Sequence, residues 1–315
     1  MLITHPTQSS VSELIKFTFG HLSEDEFSAR RQLITNLIDG GLIETNGFFV
    51  GIEGDVVVGV LISQLRPDGL VMIWHPAISD NHTIQPFFTP LDNYAKSHNA
   101  PAIILMADRD QIVDEKIFFE NGFTYISDML MLVSNLSENI NQLADELLTD
   151  KNNSKLQFIP VSETNKKNEK NYQERLINLT RKTYVNTKDF PKLLMLSSAG
   201  SVLEEYQRNI FFRLELWFFV QKIHEPNQDK KDVGVLLLSD SPPEHIELTY
   251  MGLVEEERGK GYAQEIIKFT KKTAAACGRK LITTAVDEQN TTALKSYIKH
   301  GFITWDRKKI YAKIF

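Results

Sequence analysis

Residues 245–263 read HIELTYMGLVEEERGKGYA, an apolar, β-rich run that leads into a charged turn with two glycines. Ile246, Leu248, Tyr250, Leu253 and Val254 suit a strand. Gly259 and Gly261 then let the backbone approach a ligand without Cβ in the way. Tyr262, Ala263, Ile266, Ile267 and Phe269 recur at helical spacing with Lys268, Lys271 and Lys272 on the other side, which predicts a helix from near Lys260 to about Ala276. A helix start offers unpaired N–H groups at the positive end of the dipole. Arg258 and Lys260 add full positive charge, so the segment reads as a cradle for a phosphorylated ligand. It has neither the GxxxxGK(S/T) spacing of a P-loop nor the GxGxxG of a dinucleotide turn.

The order Arg258-Gly259-Lys260-Gly261-Tyr262-Ala263 fits Arg-x-x-Gly-x-Ala, with Val254 ahead of it. This resembles the acyl-CoA-binding motif of the GNAT N-acetyltransferase superfamily. Downstream, Leu281–Val286 reads as a strand and Thr292–Lys299 as a helix that closes at Gly301-Phe302, with Tyr297 seven positions after Asn290 and four before Gly301. Those spacings are similar to the family pattern. The resemblance implies an α/β fold with a mixed, mostly antiparallel twisted sheet flanked by helices, and acetyl-CoA as co-substrate. It also implies that backbone groups of Leu253 and Val254 pair with pantetheine, that Arg258, Gly259, Lys260, Gly261, Tyr262 and Ala263 hold the pyrophosphate, that Asn290 contacts the pantetheine arm, and that Tyr297 faces the leaving thiol.

The order of elements repeats. Gly47–Glu53, Val56–Leu65 and Gly69–Trp74 read as strands, Pro86–Ser97 as a helix, Ala102–Ala107 as a strand and Asp114–Glu120 as a helix closing at Gly122-Phe123. Leu214–Lys222, Val233–Leu238 and Glu247–Val254 begin the same series again, and Gly301-Phe302 lies 179 residues after Gly122-Phe123. At that offset Asn290 falls on Gln111, Tyr297 on Phe118, and the glycine loop on Ser79–Ile84, which has neither glycine nor arginine. The reading is therefore a tandem protein, with a degenerate GNAT-like domain at 1–150 and an acyl-CoA-binding domain at 151–315, similar in plan to mycothiol synthase. The boundary is placed in the polar run Thr149–Ser154, after the amphipathic segment Ile140–Leu148. Strand Leu156–Val161 opens the second domain, and Glu163–Asn171 reads as a solvated loop. Helices near Tyr172–Tyr184 and Val202–Gln207 are expected to cover the acceptor pocket, and Trp305–Phe315 to finish the sheet.

Length and charge bound the function. The 315 residues suit two domains, and a formal charge of −6 lacks the basic balance of a nucleic-acid binder. A single cysteine, Cys277, excludes an internal disulfide framework and fits a reducing, cytoplasmic compartment. The N-terminus does not read as a signal peptide, and no apolar run reaches membrane-spanning length. His75, His82 and His98 share no ligand spacing, so no metal is expected. Trp217, Phe218 and Phe219 read as core of a strand.

Transfer to an amine needs a base, a polarised thioester and a proton for the departing thiolate. Glu247 is the candidate base, with His245 and Tyr250 as alternatives, and Tyr297 is the candidate acid. A backbone N–H near Val254, freed by a break in strand pairing, is the candidate oxyanion donor. Asn290 also suits a helix cap. The acceptor is read as a small-molecule amine or a protein amine, attacking directly because no cysteine stands near the predicted thioester. A CoA-binding sensor or assembly module without turnover is the alternative.

Overall fold

A computed structural model describes the chain apart from residues 7–10, 42–43, 109–114, 138–140, 142–153, 166–168, 224–230 and 242–244. It packs as two compact units, Met1–Ile126 with Lys309–Phe315, and Ser127–Lys308. The expected linker at 149–153 and most of the segment 140–148 lie outside the described residues. The compact units do not divide at 150/151.

The second unit holds, in sheet order, β6 (Thr124–Asn135, from Ser127 onward), β11 (Leu281–Asp287), β10 (His245–Leu253), β9 (Lys231–Ser241), β8 (Phe212–Lys222) and β7 (Leu156–Pro160). β10 and β11 run parallel, while β6–β11, β10–β9, β9–β8 and β8–β7 are antiparallel. The predicted loop helix spans Tyr262–Ala276. Tyr262, Ile266, Thr270 and Ala274 recur every fourth residue and face the sheet with Ile267. Full burial of Ile266 and Ile267 contributes about 1.5–3 kcal/mol each. These residues join Leu236, Leu238, Ile246, Leu248 and Ile282 in one core.

The opposite sheet face is covered by helices Glu169–Thr183 and Ala199–Gln207. Leu176, Leu179 and Leu203 pack there on Trp217, Phe219, Val235 and Leu237. Phe218, between two residues of that face, points into the other core, as strand alternation requires. Arg175 fixes the first helix by a two-pronged pair with Asp232 at 2.6 and 2.7 Å. The polar stretch read as a loop at 163–171 is instead mostly helical, with Val161–Asn165 forming one helix and Glu169 beginning the next. Its apolar flanks decide this, since Val161 is fully buried and anchors the first turn.

The first unit orders its strands β1 (Leu2–Thr4), β2 (Phe48–Glu53), β3 (Val56–Leu65), β4 (Val71–Ile78), β5 (Ala102–Asp108) and β12 (Ile303–Ile314, from Lys309 onward). Helices Val11–Phe19 and Glu24–Asp39 cover part of it, and helix Phe88–Ser97 packs on Val71, Ile73 and Leu105. β4 and β5 are the parallel pair here. The repeat survives in detail. Phe118 meets Phe123 edge-on at 5.2 Å, and Tyr297 meets Phe302 edge-on at 5.3 Å, the same pair 179 residues on. Gly122 and Gly301, which end the preceding helices, hold φ values of 86° and 79°. Among the described residues no helix is long and apolar enough to cross a membrane.

Candidate active site

The site starts from one extra residue in β10. Leu248 stands opposite Leu238 and Tyr250 opposite Leu237, which leaves Thr249 as a bulge. On its other edge β10 pairs with β11 only from His245/Leu281 to Leu248/Thr284, although the strands continue to Leu253 and Asp287. The two strands part beyond the bulge. The wedge between them belongs to a cavity of about 410 Å³ lined by Leu248–Leu253, Thr284–Val286, the glycine loop and the helices that follow each strand. Thr284 closes its apex by donating to the Leu248 carbonyl at 2.9 Å.

Six of the cradle residues line this cavity: Leu253, Arg258, Gly259, Gly261, Tyr262 and Ala263. Gly259 and Gly261 have φ of 75° and 84°, and a Cβ built on either meets nothing within 4 Å. Both therefore favour glycine for conformation and leave open space in front of the loop. Among the described residues, no acceptor lies in hydrogen-bonding geometry to the N–H groups of Gly261, Tyr262 and Ala263. These donors sit at the start of a 15-residue helix, where the dipole favours an anion.

The charged side chains take other roles than the sequence suggested. The Arg258 guanidinium donates to three carbonyls, those of Leu253 at 3.0 Å, Asn186 at 3.1 Å and Thr183 at 2.8 Å. It ties the end of helix Glu169–Thr183 to the end of β10, so it shapes the loop rather than offering its donors to a ligand. Lys260 does not line the cavity and pairs with Glu257 at 2.9 Å, holding that carboxyl below its usual range. Val254 is core, and its N–H donates to the Val233 carbonyl at 2.9 Å. The expected donor near Val254 is thus already used; the break in strand pairing lies five residues earlier, at Thr249.

Tyr297 and Asn290 both line the cavity. Burial pushes the Tyr297 phenol well above its ordinary range, the Asp189 charge pushes the same way, and a hydrogen bond with Thr284 partly offsets them. Asn290 caps helix Thr291–Lys299, its side-chain oxygen accepting from the Ala293 N–H at 3.3 Å. Tyr250 shares a 2.7 Å hydrogen bond with Thr183, and burial also raises its phenol. The two groups approach so closely because residue 252 is glycine: a Cβ there would lie 2.6 Å from both Thr183 Oγ1 and Tyr250 Oη.

Glu247 does not line the cavity. It stands between Ser239 and Thr283 in register, half-buried, and burial raises its carboxyl. Ser239 meets Thr249 at 2.9 Å, which places Glu247 on the face of β10 that carries the bulge. His245 is a paired strand residue opposite Ser241 and Leu281.

One lining carboxylate was not among the sequence candidates. Asp189 accepts the Asp287 N–H at 3.0 Å, and Asp287 in turn accepts the Phe190 N–H at 3.0 Å. This reciprocal clamp holds Phe190 at φ 42°, ψ 53°, a left-handed conformation that is uncommon without glycine. Burial is the main cause that raises the Asp189 carboxyl. Its only sequence signal was the Asp189-Phe190-Pro191 break between two helices.

In the first copy, the loop counterpart Ser79–Ile84 turns at Asn81, with φ 67°. Phe118 is buried core, and Gln111 lies outside the described residues. Among the described residues no three His, Cys, Asp or Glu side chains converge as a metal-ligand set.

Residues 197–302 match the acetyltransferase (GNAT) family. No curated protein matches the chain. Among solved structures, a GCN5-related N-acetyltransferase from Sphaerobacter thermophilus is similar at 13% identity and a TM-score of 0.60, over 99% of this chain and 95% of that one. A glucosamine N-acetyltransferase region of a fungal multi-domain β-N-acetylglucosaminidase is similar at 13% identity and a TM-score of 0.58, over 99% of this chain and 38% of that one. A putative acetyltransferase from Pyrococcus horikoshii is similar at 10% identity and a TM-score of 0.54, over 100% of this chain and 89% of that one. At such identities the likeness is one of fold. The matched segment, about a third of the chain, contains the bulged strand, the glycine loop, its helix and Tyr297, so the likeness to GNAT acetyltransferases falls on the residues that build this site.

Proposed function

We propose that the protein transfers an acetyl group from acetyl-CoA to a primary amine by direct attack, with one acyl-CoA site, in the second copy. The observation that carries this reading is the continuity of the cavity: open glycines and unused helix-start N–H groups at one end, the parted strands in the middle, and Tyr297 on the wall. Gly259, Gly261, Tyr262 and Ala263 hold the pyrophosphate through backbone donors, with Arg258 bracing the loop from behind. Leu253 and the unpaired edge of β10 beyond Leu248 pair with the pantetheine arm, and Asn290 contacts it from the cap of its helix. The thioester supplies the activated acetyl group. Tyr297 gives its proton toward the leaving sulfur, a role that suits a phenol kept protonated by burial. Glu247 receives the acceptor's proton through water, since it stands outside the cavity wall. The sole cysteine, Cys277, does not line the cavity, which supports direct attack over a covalent acyl-enzyme. The first copy, without glycines in its loop and with Phe118 in place of Tyr297, serves as a scaffold.

Titration calorimetry with acetyl-CoA tests the reading. One site per chain, abolished by Gly261→Glu, is the expected result. Absent binding, or binding indifferent to that substitution, contradicts it.

A further inference from the structure

Asp189 is the one carboxylate among the described residues that line the cavity. It is held in place from two sides, by the Asp287 N–H and by a side-chain hydrogen bond with Asn290. Its neighbour Asp287 is served separately by the N–H groups of Phe190 and Gln289 and by the Ser127 hydroxyl. Among the described residues no Lys, Arg or His nitrogen comes within 4.0 Å of Asp189, although Lys188 and Arg258 line the same cavity. Arg258 is turned away onto three carbonyls. A desolvated carboxylate beside a second one, with no counter-cation of the protein's own, is a poor arrangement for stability and a good one for a cation. The raised Asp189 carboxyl is in keeping with this.

We infer that Asp189 binds a cationic ammonium group of the acceptor that is not the amine being acetylated, which makes the acceptor a small diamine. The inference rests on the acetyltransferase reading above. The nucleophilic amine must be neutral when it attacks, whereas a group anchored to a carboxylate stays charged, so the two tasks call for two nitrogens. The cavity of about 410 Å³ has to admit the pantetheine arm and acetyl group of the co-substrate as well, which leaves room for a short acceptor.

The test compares putrescine with n-butylamine, which match in length and differ by one ammonium, in wild type and in Asp189→Asn. Asparagine keeps a side-chain carbonyl for the Asp287 N–H and removes only the charge. Thiol release from acetyl-CoA is followed at varied amine concentration, with calorimetry of acetyl-CoA on both proteins. Wild type is expected to favour putrescine by about tenfold or more in kcat/KM, mainly through KM, as fits one charged hydrogen bond. Asp189→Asn is expected to lose that preference while binding acetyl-CoA within about twofold of wild type and melting no lower. Asp189→Glu should keep part of the preference, which a merely structural role would not predict. Equal use of both amines by wild type, a preference that survives Asp189→Asn, or no turnover of either amine by a protein that binds acetyl-CoA overturns the inference. Failure to bind acetyl-CoA strikes instead at the reading beneath it.

Discussion

Gly261→Ala separates what the loop does for folding from what it does for a ligand. At φ 84° an alanine adopts a left-handed conformation that costs about 1–2 kcal/mol. Nothing in the protein opposes the new methyl group, because no atom lies within 4 Å of its position. The loss of stability should therefore stop at that figure, a fall in melting temperature of roughly 2–8 °C. Binding should suffer more. The methyl enters the open space before the N–H groups of residues 261–263, and loss of two charge-assisted hydrogen bonds at about 1.5 kcal/mol each amounts to about 3 kcal/mol, roughly a hundredfold in Kd. The assay is thermal unfolding of the free protein beside calorimetry with acetyl-CoA and with CoA. A variant that loses stability as stated yet binds within about twofold of wild type would show that the phosphates lie elsewhere.

Three other outcomes follow from the same geometry. Gly252→Ala places a methyl 2.6 Å from both Thr183 Oγ1 and Tyr250 Oη, and should lower stability by about 1–3 kcal/mol in denaturant unfolding, as overpacking does; an unchanged midpoint would mean that the helix end moves freely. Tyr297→Phe should slow thiol release by roughly a hundredfold with acetyl-CoA affinity preserved, and a loss below about threefold would reduce Tyr297 to a packing residue. Asp240 is held by Arg213 at 2.8 Å and Arg279 at 2.6 Å, chiefly the latter, which lowers its carboxyl. Because its folded pKa is depressed, its contribution is full above the unfolded value of about 3.9 and fades as pH falls through the folded one. Wild type should thus unfold later than Asp240→Asn at neutral pH, with the gap closing below about pH 4; a gap that stays constant with pH would refute the ion-pair account.

The glycine loop and its helix were legible because their determinants are local. Two glycines, a run of positive charge and an apolar repeat every third or fourth residue need no knowledge of distant chain. The pairs Phe118–Phe123 and Tyr297–Phe302 were legible as a spacing for the same reason. Side-chain destinations were not. Arg258 looked like a phosphate ligand because charge beside a glycine turn suggests one, yet its partners at Thr183 and Asn186 lie 75 and 72 residues upstream. Asp189 gained its place from Asp287, 98 residues away, through a contact that no local pattern encodes. β6 escaped notice because its register, Leu132 against Thr284, is set by pairing with a strand 152 residues further along the chain. Thr249 is invisible as a bulge in sequence, since a strand with an extra residue reads like a strand.

That extra residue works as a shift of reading frame within a single strand. Side chains of β10 before Thr249 and after it obey different parities, so Glu247 and Tyr250 share a face although they stand three positions apart. One insertion thereby gives the strand two allegiances, to the sheet before it and to the cavity beyond it. Removing residue 249 would leave Tyr250, Gly252, Met251 and Leu253 on the faces they hold now and make the strand regular, so what the extra residue changes is the course of β10 at the point where its pairing with β11 ends. The extra residue matters to the cavity as a bend in the backbone rather than as a side chain.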